Sequence, residues 1–320
     1  MNVFFPFHTG DWVSAVEWLR WTAELGGCSD HALFLHPAKN TKADSVDGLA
    51  STARNSWREV FVIKDYEGAT GWPAGPNACM RQAAQFFYIR GERGKPEPWA
   101  FVETDAIPLS ASWLNRLEQE YREGKRPFMG ARVEPVGDTP IHMSGVGIYP
   151  WDAMSYASGL TIPSLSDTGT ELAFDIAAAE HILPKMKATR LIQHVLATPD
   201  GKNPTFPTVE ELAIIHPEAV IFHRCKDGTL IDRLRSSSSL VNRAQGEPAT
   251  RSWGSAHATH ERTPATVSIA AKTVPDSIAG QLRSLCQAAD KIIGGNAGRK
   301  QAFHTELRRA KLLGKASSRK

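Results

Sequence analysis

The sequence predicts an α/β protein, a mostly parallel sheet with helices on its faces, extended by a basic helical C-terminal arm. Three observations predict it. Short apolar runs at Asn2–Phe7, His31–Leu35 and Val60–Ile63 alternate with stretches of helical period, and that β-α-β-α-β order is how parallel strands are covered on both faces. A further run, Ala100-Phe101-Val102, ends in Glu103-Thr104-Asp105, so two carboxylates leave the end of a buried strand together. The chain of 320 residues, 42% hydrophobic and 22% charged, is long enough for one sizeable core.

The first strand is stopped by Pro6 and the turn His8-Thr9-Gly10. Asp11 then opens a helix in which Trp12, Val16, Leu19 and Ala23 recur at helical spacing until Gly26-Gly27 ends it. The second helix is expected from about Ser45 to Trp57, before the third strand. A half of this kind holds nucleotides outside the carboxyl ends of its strands. Phe7, His8, Thr9 and Asp11 after strand one, and Asp65 after strand three, are therefore candidate nucleotide contacts. In Gly71–Tyr88, Gly-Pro punctuation places Asn77 at a helix start, where backbone N–H groups favour anions; Arg81 lies one turn on, on the same face, within reach of a diphosphate. Taken singly, each also fits a cap or a solvated surface side chain.

Glu-x-Asp at a strand end suits a hard divalent cation that keeps waters and shares itself with a substrate diphosphate, although solvated turn acids look the same in isolation. Ser110 is placed to cap the next helix, through Trp113, Leu114, Leu117 and Tyr121. Strands are expected at Pro127–Val133 and His142–Tyr149. Glycines inside the second, Gly145 among them, imply a close approach to the backbone, as by a sugar ring; Ser144-Gly145-Val146-Gly147 is no dinucleotide fingerprint, because no capped helix follows it. After a short helix at Trp151–Ser158, the segment Leu165–Ile182 sets Asp167, Glu171 and Asp175 four residues apart, on one face if helical. Glu171 or Asp175 is then a candidate general base, the alternative being acids that merely favour a helix N-terminus. Val220-Ile221-Phe222 is the last strand and delivers His223, with Lys226 behind it. A neutral imidazole beside a carboxylate can ligate a metal, so Asp105 and His223, expected at the same edge of one sheet, are the candidate ligands, and Lys226 a partner for phosphate.

The charge is uneven. Residues 241–320 carry 14 basic and 5 acidic side chains, a net +9, while the first 240 carry 23 basic and 29 acidic, a net −6. A basic arm on an acidic body is expected either to meet a phosphate backbone or to stand solvated. From Ser236 the sequence is polar and aperiodic and reads as a linker. The expected division is a catalytic domain over 1–235, a linker over 236–275 and a basic helical tail over 276–320. Cys28, Cys79, Cys225 and Cys286 have no metal or redox spacing, no apolar run approaches a bilayer span, and the first residues lack a basic leader region. A cytoplasmic protein is expected.

With these parts the chain resembles the GT-A class of nucleotide-sugar glycosyltransferases over roughly residues 1–235. The resemblance implies a hexosyl-type transferase in which an acidic strand-end motif, usually Asp-x-Asp and here Glu103-Thr104-Asp105, holds Mn²⁺ or Mg²⁺ on the donor diphosphate of a nucleotide sugar such as a UDP-sugar. It further implies that His223 completes the metal site and that Arg81 faces the donor. FPFHTGDW, ELGG, GWPAGPN and HRCKDG are similar to glycosyltransferase-like proteins of tailed phages, some of which resemble enzymes acting on hydroxymethylated pyrimidines in DNA. The implied acceptor is therefore a 5-hydroxymethylpyrimidine in phage DNA, held through the basic tail, in a host cytoplasm. Two alternatives stay open: transfer to a surface polysaccharide, lipid or protein, and a non-enzymatic nucleic-acid-binding protein.

Overall fold

Strand β1 (Asn2–Phe7) is apolar on both sides, and such a strand is stable only in the middle of a covered sheet. It is central here. The computed structural model describes residues 1–135, 139–161, 164–165, 169, 171–194, 208–223, 228–237 and 272–273. From β1 the chain runs through α1 (Trp12–Glu24), β2 (Cys28–Pro37), α2 (Ala43–Arg54), β3 (Trp57–Val62), α3 (Ala74–Glu92) and β4 (Trp99–Phe101). It continues through β5 (Ile107–Pro108), α4 (Trp113–Gly124), β6 (Phe128–Val133), β7 (His142–Tyr149) and three short helices, α5 (Ala153–Tyr156), α6 (Phe174–Ala177) and α7 (Ala179–Ile182). The remaining elements are β8 (Met186–Ala188), β9 (Ile192–His194), α8 (Val209–Ile215), β10 (Ile221–His223), α9 (Thr229–Ser236) and β11 (Lys272–Thr273).

The large sheet has the order β11-β3-β2-β1-β4-β7-β6-β8, and within it β7 alone runs against the others. The α/β architecture with a mostly parallel sheet is thus the one expected. Alternation along β1 divides the core between the two faces: Val3, Phe5 and Phe7 pack with Trp18 and Leu19 of α1, Leu49 of α2 and Leu114 of α4. Phe4 points the other way, to Ala83, Ala84 and Phe87 of α3. Each such large side chain, removed from water, contributes on the order of 2–3 kcal/mol.

Four local expectations change. Helix α2 stops at Arg54, and Trp57 instead opens β3, buried 6.2 Å from the Trp18 ring. Ser112 rather than Ser110 occupies the cap position of α4. Helix α3 begins at Ala74, so Asn77 lies inside its first turn. The segment Leu165–Ile182 is not one helix: Leu165 and Glu171 form an antiparallel bridge, and helix resumes only at Phe174. The reason is that the Asn77 side chain donates to the Leu172 carbonyl (2.8 Å) and accepts from the Phe174 N–H (2.7 Å), taking the backbone groups a continuous helix would use. Glu171 and Asp175 therefore do not share a helical face, and Asp167 lies outside the described residues.

A second sheet, β5-β10-β9, is invisible to sequence periodicity because its strands are two or three residues long and far apart in the chain. His223 belongs to it, so Asp105 and His223 do not lie at the edge of one sheet as expected. They meet where two sheets join. Helix α9 closes this region through Arg235, which pairs with Glu24 (2.7 Å) and Glu17 (3.1 Å) of α1. Strand β11 falls within the stretch read as linker and pairs with β3; Lys226 and the tail, 276–320, lie outside the described residues. No helix among the described residues is long and apolar enough to cross a membrane.

Candidate functional site

The Glu103–Asp105 turn is held from both ends. The Val102 N–H donates to Phe4 O (3.0 Å), continuing the ladder with β1, and the Ala106 N–H donates to Glu103 O (3.0 Å), closing a tight turn. Two indoles of α1 anchor the residues just beyond it: Trp18 donates to Ala106 O and Trp21 to Pro108 O, each at 2.7 Å. Tryptophans at helical spacing are thus packing residues whose N–H groups also fix the strand after the acidic turn. Strand β5 then pairs with β10, Leu109 N donates to Val220 O (2.9 Å), and His223 is carried over the turn.

There the His223 Nε2 lies 3.1 Å from Glu103 Oε2 and 3.3 Å from Asp105 Oδ1. Burial disfavours the imidazolium, but hydrogen bonds and charge from Asp105 and Glu103 outweigh it and lift His223 to about 9. One atom from each of the three side chains falls within a 4.8 Å span. Two carboxylate oxygens and one imidazole nitrogen are a donor set that fits a divalent cation.

The carboxylates form one wall of a cleft of about 600 Å³ at the carboxyl ends of β1 to β4. Phe7, His8, Thr9, Asp11, Asp65, Glu103, Thr104 and Asp105 all line it. Among the described lining residues, Asp11, Asp65, Glu103 and Asp105 are acidic and none is Lys or Arg, so an anionic ligand requires a cation beside it. His8 Nδ1 accepts from the Gly10 N–H (2.8 Å), and its Nε2 lies 3.1 Å from Asp11. Burial raises the Asp11 pKa, His8 opposes that, and Asp105 and Glu103 add to it. Asp65 is committed elsewhere: its carboxylate accepts from Lys39 N, Glu67 N, Gly68 N and Gln82 Nε2 at 2.9–3.1 Å. Trp72, 72% exposed, stands at the rim.

Other expected contacts are placed differently. Arg81 pairs with Glu67 (2.6 Å) and Glu171 (3.0 Å), and Asn77 donates to Glu171 (2.9 Å); together they tie α3 to the loop before α6. Asn77, Arg81, Glu67 and Glu171 are not among the residues that line the cleft. Gly145 does permit a close approach, but by Phe174: a Cβ there would meet the phenyl ring at 2.7 Å. Asp175 lies 3.8 Å from His142, its Oδ1 accepts from Ile176 N (3.0 Å), and burial, opposed by His142 and reinforced by Glu103, raises its pKa.

Sequence reasoning passed over Ser144, His194, His142 and Glu67. A signal existed for His194: Leu191-Ile192-Gln193 ending in an imidazole repeats the short pattern that delivers His223. Glu67 and His142 carried none, since only the tertiary partner gives them meaning.

No protein-family model matches the sequence, and no curated protein does. Among solved structures the fold is similar to the galactosyltransferase LgtC in complex with donor and acceptor sugar analogues, at 10% identity and a TM-score of 0.44 over 78% of this chain and 98% of that one. It is similar to the glycosyltransferase GlyE of Streptococcus pneumoniae TIGR4, at 11% identity and a TM-score of 0.46 over 76% of this chain and 63% of that one. A glycosyltransferase involved in the glycosylation of the major capsid of PBCV-1 gives 11% identity and a TM-score of 0.41 over 73% of this chain and 98% of its own.

Proposed function

We propose that this chain is a metal-dependent glycosyltransferase that moves a sugar from a nucleoside-diphosphate donor to a hydroxyl group, with UDP-sugars the first donors to test. One observation carries the reading: Glu103, Asp105 and His223 converge at the wall of an acidic cleft formed at the carboxyl ends of parallel strands, where α/β sheets hold nucleotides. Asp105, His223 and Glu103 would hold Mn²⁺ or Mg²⁺. Such an ion, when bound, neutralises charge on the departing diphosphate.

The side chains divide the remaining work. His8, Thr9 and Asp11 line the cleft and would face the nucleotide, and Trp72 at its rim offers a ring for stacking. If transfer inverts the anomeric centre, a carboxylate must take the acceptor proton. Asp175 suits this better than Glu171, because burial raises the Asp175 pKa while Glu171 is occupied by Arg81 and Asn77. For the acceptor we favour a 5-hydroxymethylpyrimidine in DNA: residues 241–320, with a net +9, would hold the phosphate backbone while the acidic body handles the donor.

A thermal-shift screen of nucleoside diphosphates and their sugars, with and without Mn²⁺, tests the donor. One nucleotide should stabilise the wild type only with metal, and Asp105→Ala should lose that shift while remaining folded; a fully active Asp105→Ala protein rules the reading out. Deleting residues 241–320 tests the acceptor. Transfer to hydroxymethylated DNA, and its steep salt dependence, should both fall.

A further inference from the structure

His223 has a second nitrogen, and it is not solvated. Its Nδ1 lies 2.9 Å from His194 Nδ1 and 3.3 Å from Ser144 Oγ, and that hydroxyl is 3.0 Å from His194 Nδ1. The two rings stand edge to face, with centroids 4.8 Å apart. Ser144 is fully buried on β7, His223 is buried on β10 and His194 comes from β9, so three strands from both sheets meet at this point.

We infer that Ser144 and His194 are positioning residues that hold His223 in the tautomer able to ligate a cation. The inference rests on reading Glu103, Asp105 and His223 as the cation site. At 2.9 Å two imidazole nitrogens share one hydrogen, since two N–H groups cannot face each other and two lone pairs repel. For Nε2 to present its lone pair beside the carboxylates, the neutral ring must carry its hydrogen on Nδ1. His194 Nδ1 is then the acceptor, its own hydrogen sits on Nε2, and Ser144 Oγ, 3.3 Å from His223 Nδ1, is a second acceptor for the same N–H. A ring ligating through one nitrogen is oriented by the bond its other N–H makes, and losing that partner ordinarily weakens metal binding about 10–100-fold. Here the partner is a second imidazole rather than a carboxylate.

The experiment needs no nucleotide: Mn²⁺ titrations of the full chain, followed by the EPR signal of the free ion, on wild type, Ser144→Ala, His194→Ala and His194→Asn. Loss of either partner should weaken binding about 10–100-fold, while His194→Asn, whose Oδ1 replaces Nδ1 as acceptor, should return to within about threefold of wild type. A second readout is the ring ¹⁵N spectrum of the wild type with Mg²⁺, which should show His223 protonated on Nδ1. Unchanged Mn²⁺ affinity in His194→Ala and Ser144→Ala, no recovery in His194→Asn, or an Nε2-protonated His223 would each overturn the inference, as would a wild type that binds no Mn²⁺ at millimolar ion. A protein that shows the expected binding series but turns over no nucleotide sugar would refute the transferase reading alone.

Discussion

At one end of the cleft the Asp65 carboxylate accepts four hydrogen bonds, three of them from backbone N–H groups. At the other end Glu103 and Asp105 both face one imidazole nitrogen. All three acids come after parallel strands, yet they have opposite commitments. Burial opposes the Asp65 charge, but Gln82 and the backbone donors overrule it and hold its pKa below the ordinary range. Its lone pairs are spent on shaping the loop. The pair at the other end is crowded, like-charged and dependent on a cation, whether a proton on His223 or a metal. Position at a strand end marks where chemistry can occur, and the donors around each acid decide whether it does.

Exchanging each acid for its amide should separate the two roles. Asp105→Asn is expected to have the largest effect, weakening Mn²⁺ binding and donor turnover by at least about 100-fold, measured by EPR titration and nucleotide-sugar hydrolysis. Asp65→Asn should do the reverse: it turns an N–H₂ toward bound donors, costing about 2 kcal/mol, or roughly 4–8 °C of Tm, with Mn²⁺ affinity near wild type. If Asp65→Asn abolished metal-dependent nucleotide binding at an unchanged Tm, the contrast would be broken.

The two ends should also respond to opposite extremes of pH in metal-free protein. His223 is raised in the fold, so its contribution is complete below its unfolded value of 6.5 and is lost as pH climbs to about 9. The loss is on the order of 1–3 kcal/mol. Asp65 is depressed, so its contribution is complete above its unfolded value of 3.8 and is lost as pH falls through its lower folded value. Melting curves across pH should show the alkaline decline shrinking in His223→Gln and the acid decline shrinking in Asp65→Asn. The smallest effect is expected of Trp72→Ala: an exposed rim residue should change stability by less than about 0.5 kcal/mol and affect only the donor KM.

The same contrast separates the legible part of the site from the rest. Glu103, Asp105 and His223 are readable because each ends an apolar run, and a run of that kind reports a strand end without knowledge of its neighbours. For Asn77, Arg81 and Gly145 the sequence indicates the right local element and the wrong partner. An arginine one turn into a helix looks equally suited to a diphosphate and to Glu67 and Glu171, and a strand glycine equally to a sugar and to Phe174. Ser144 lies in a strand too ordinary to announce a role, and the short run that ends in His194 marks a strand end without naming its partner.

By itself the sequence determined the parallel half. The order β1 to β4, the burial of β1 on both faces and the delivery of an acidic pair from β4 all follow from local hydrophobic period, which acts through neighbours in the chain. Tertiary structure alone decided that β5, β9 and β10 form a second sheet, that His223 reaches the acidic turn across it, and that Glu171 binds Arg81. Those outcomes depend on pairing between residues up to 120 positions apart, such as Glu103 and His223. No periodic pattern records such pairings, because a short strand gains its stability only from the partner it meets.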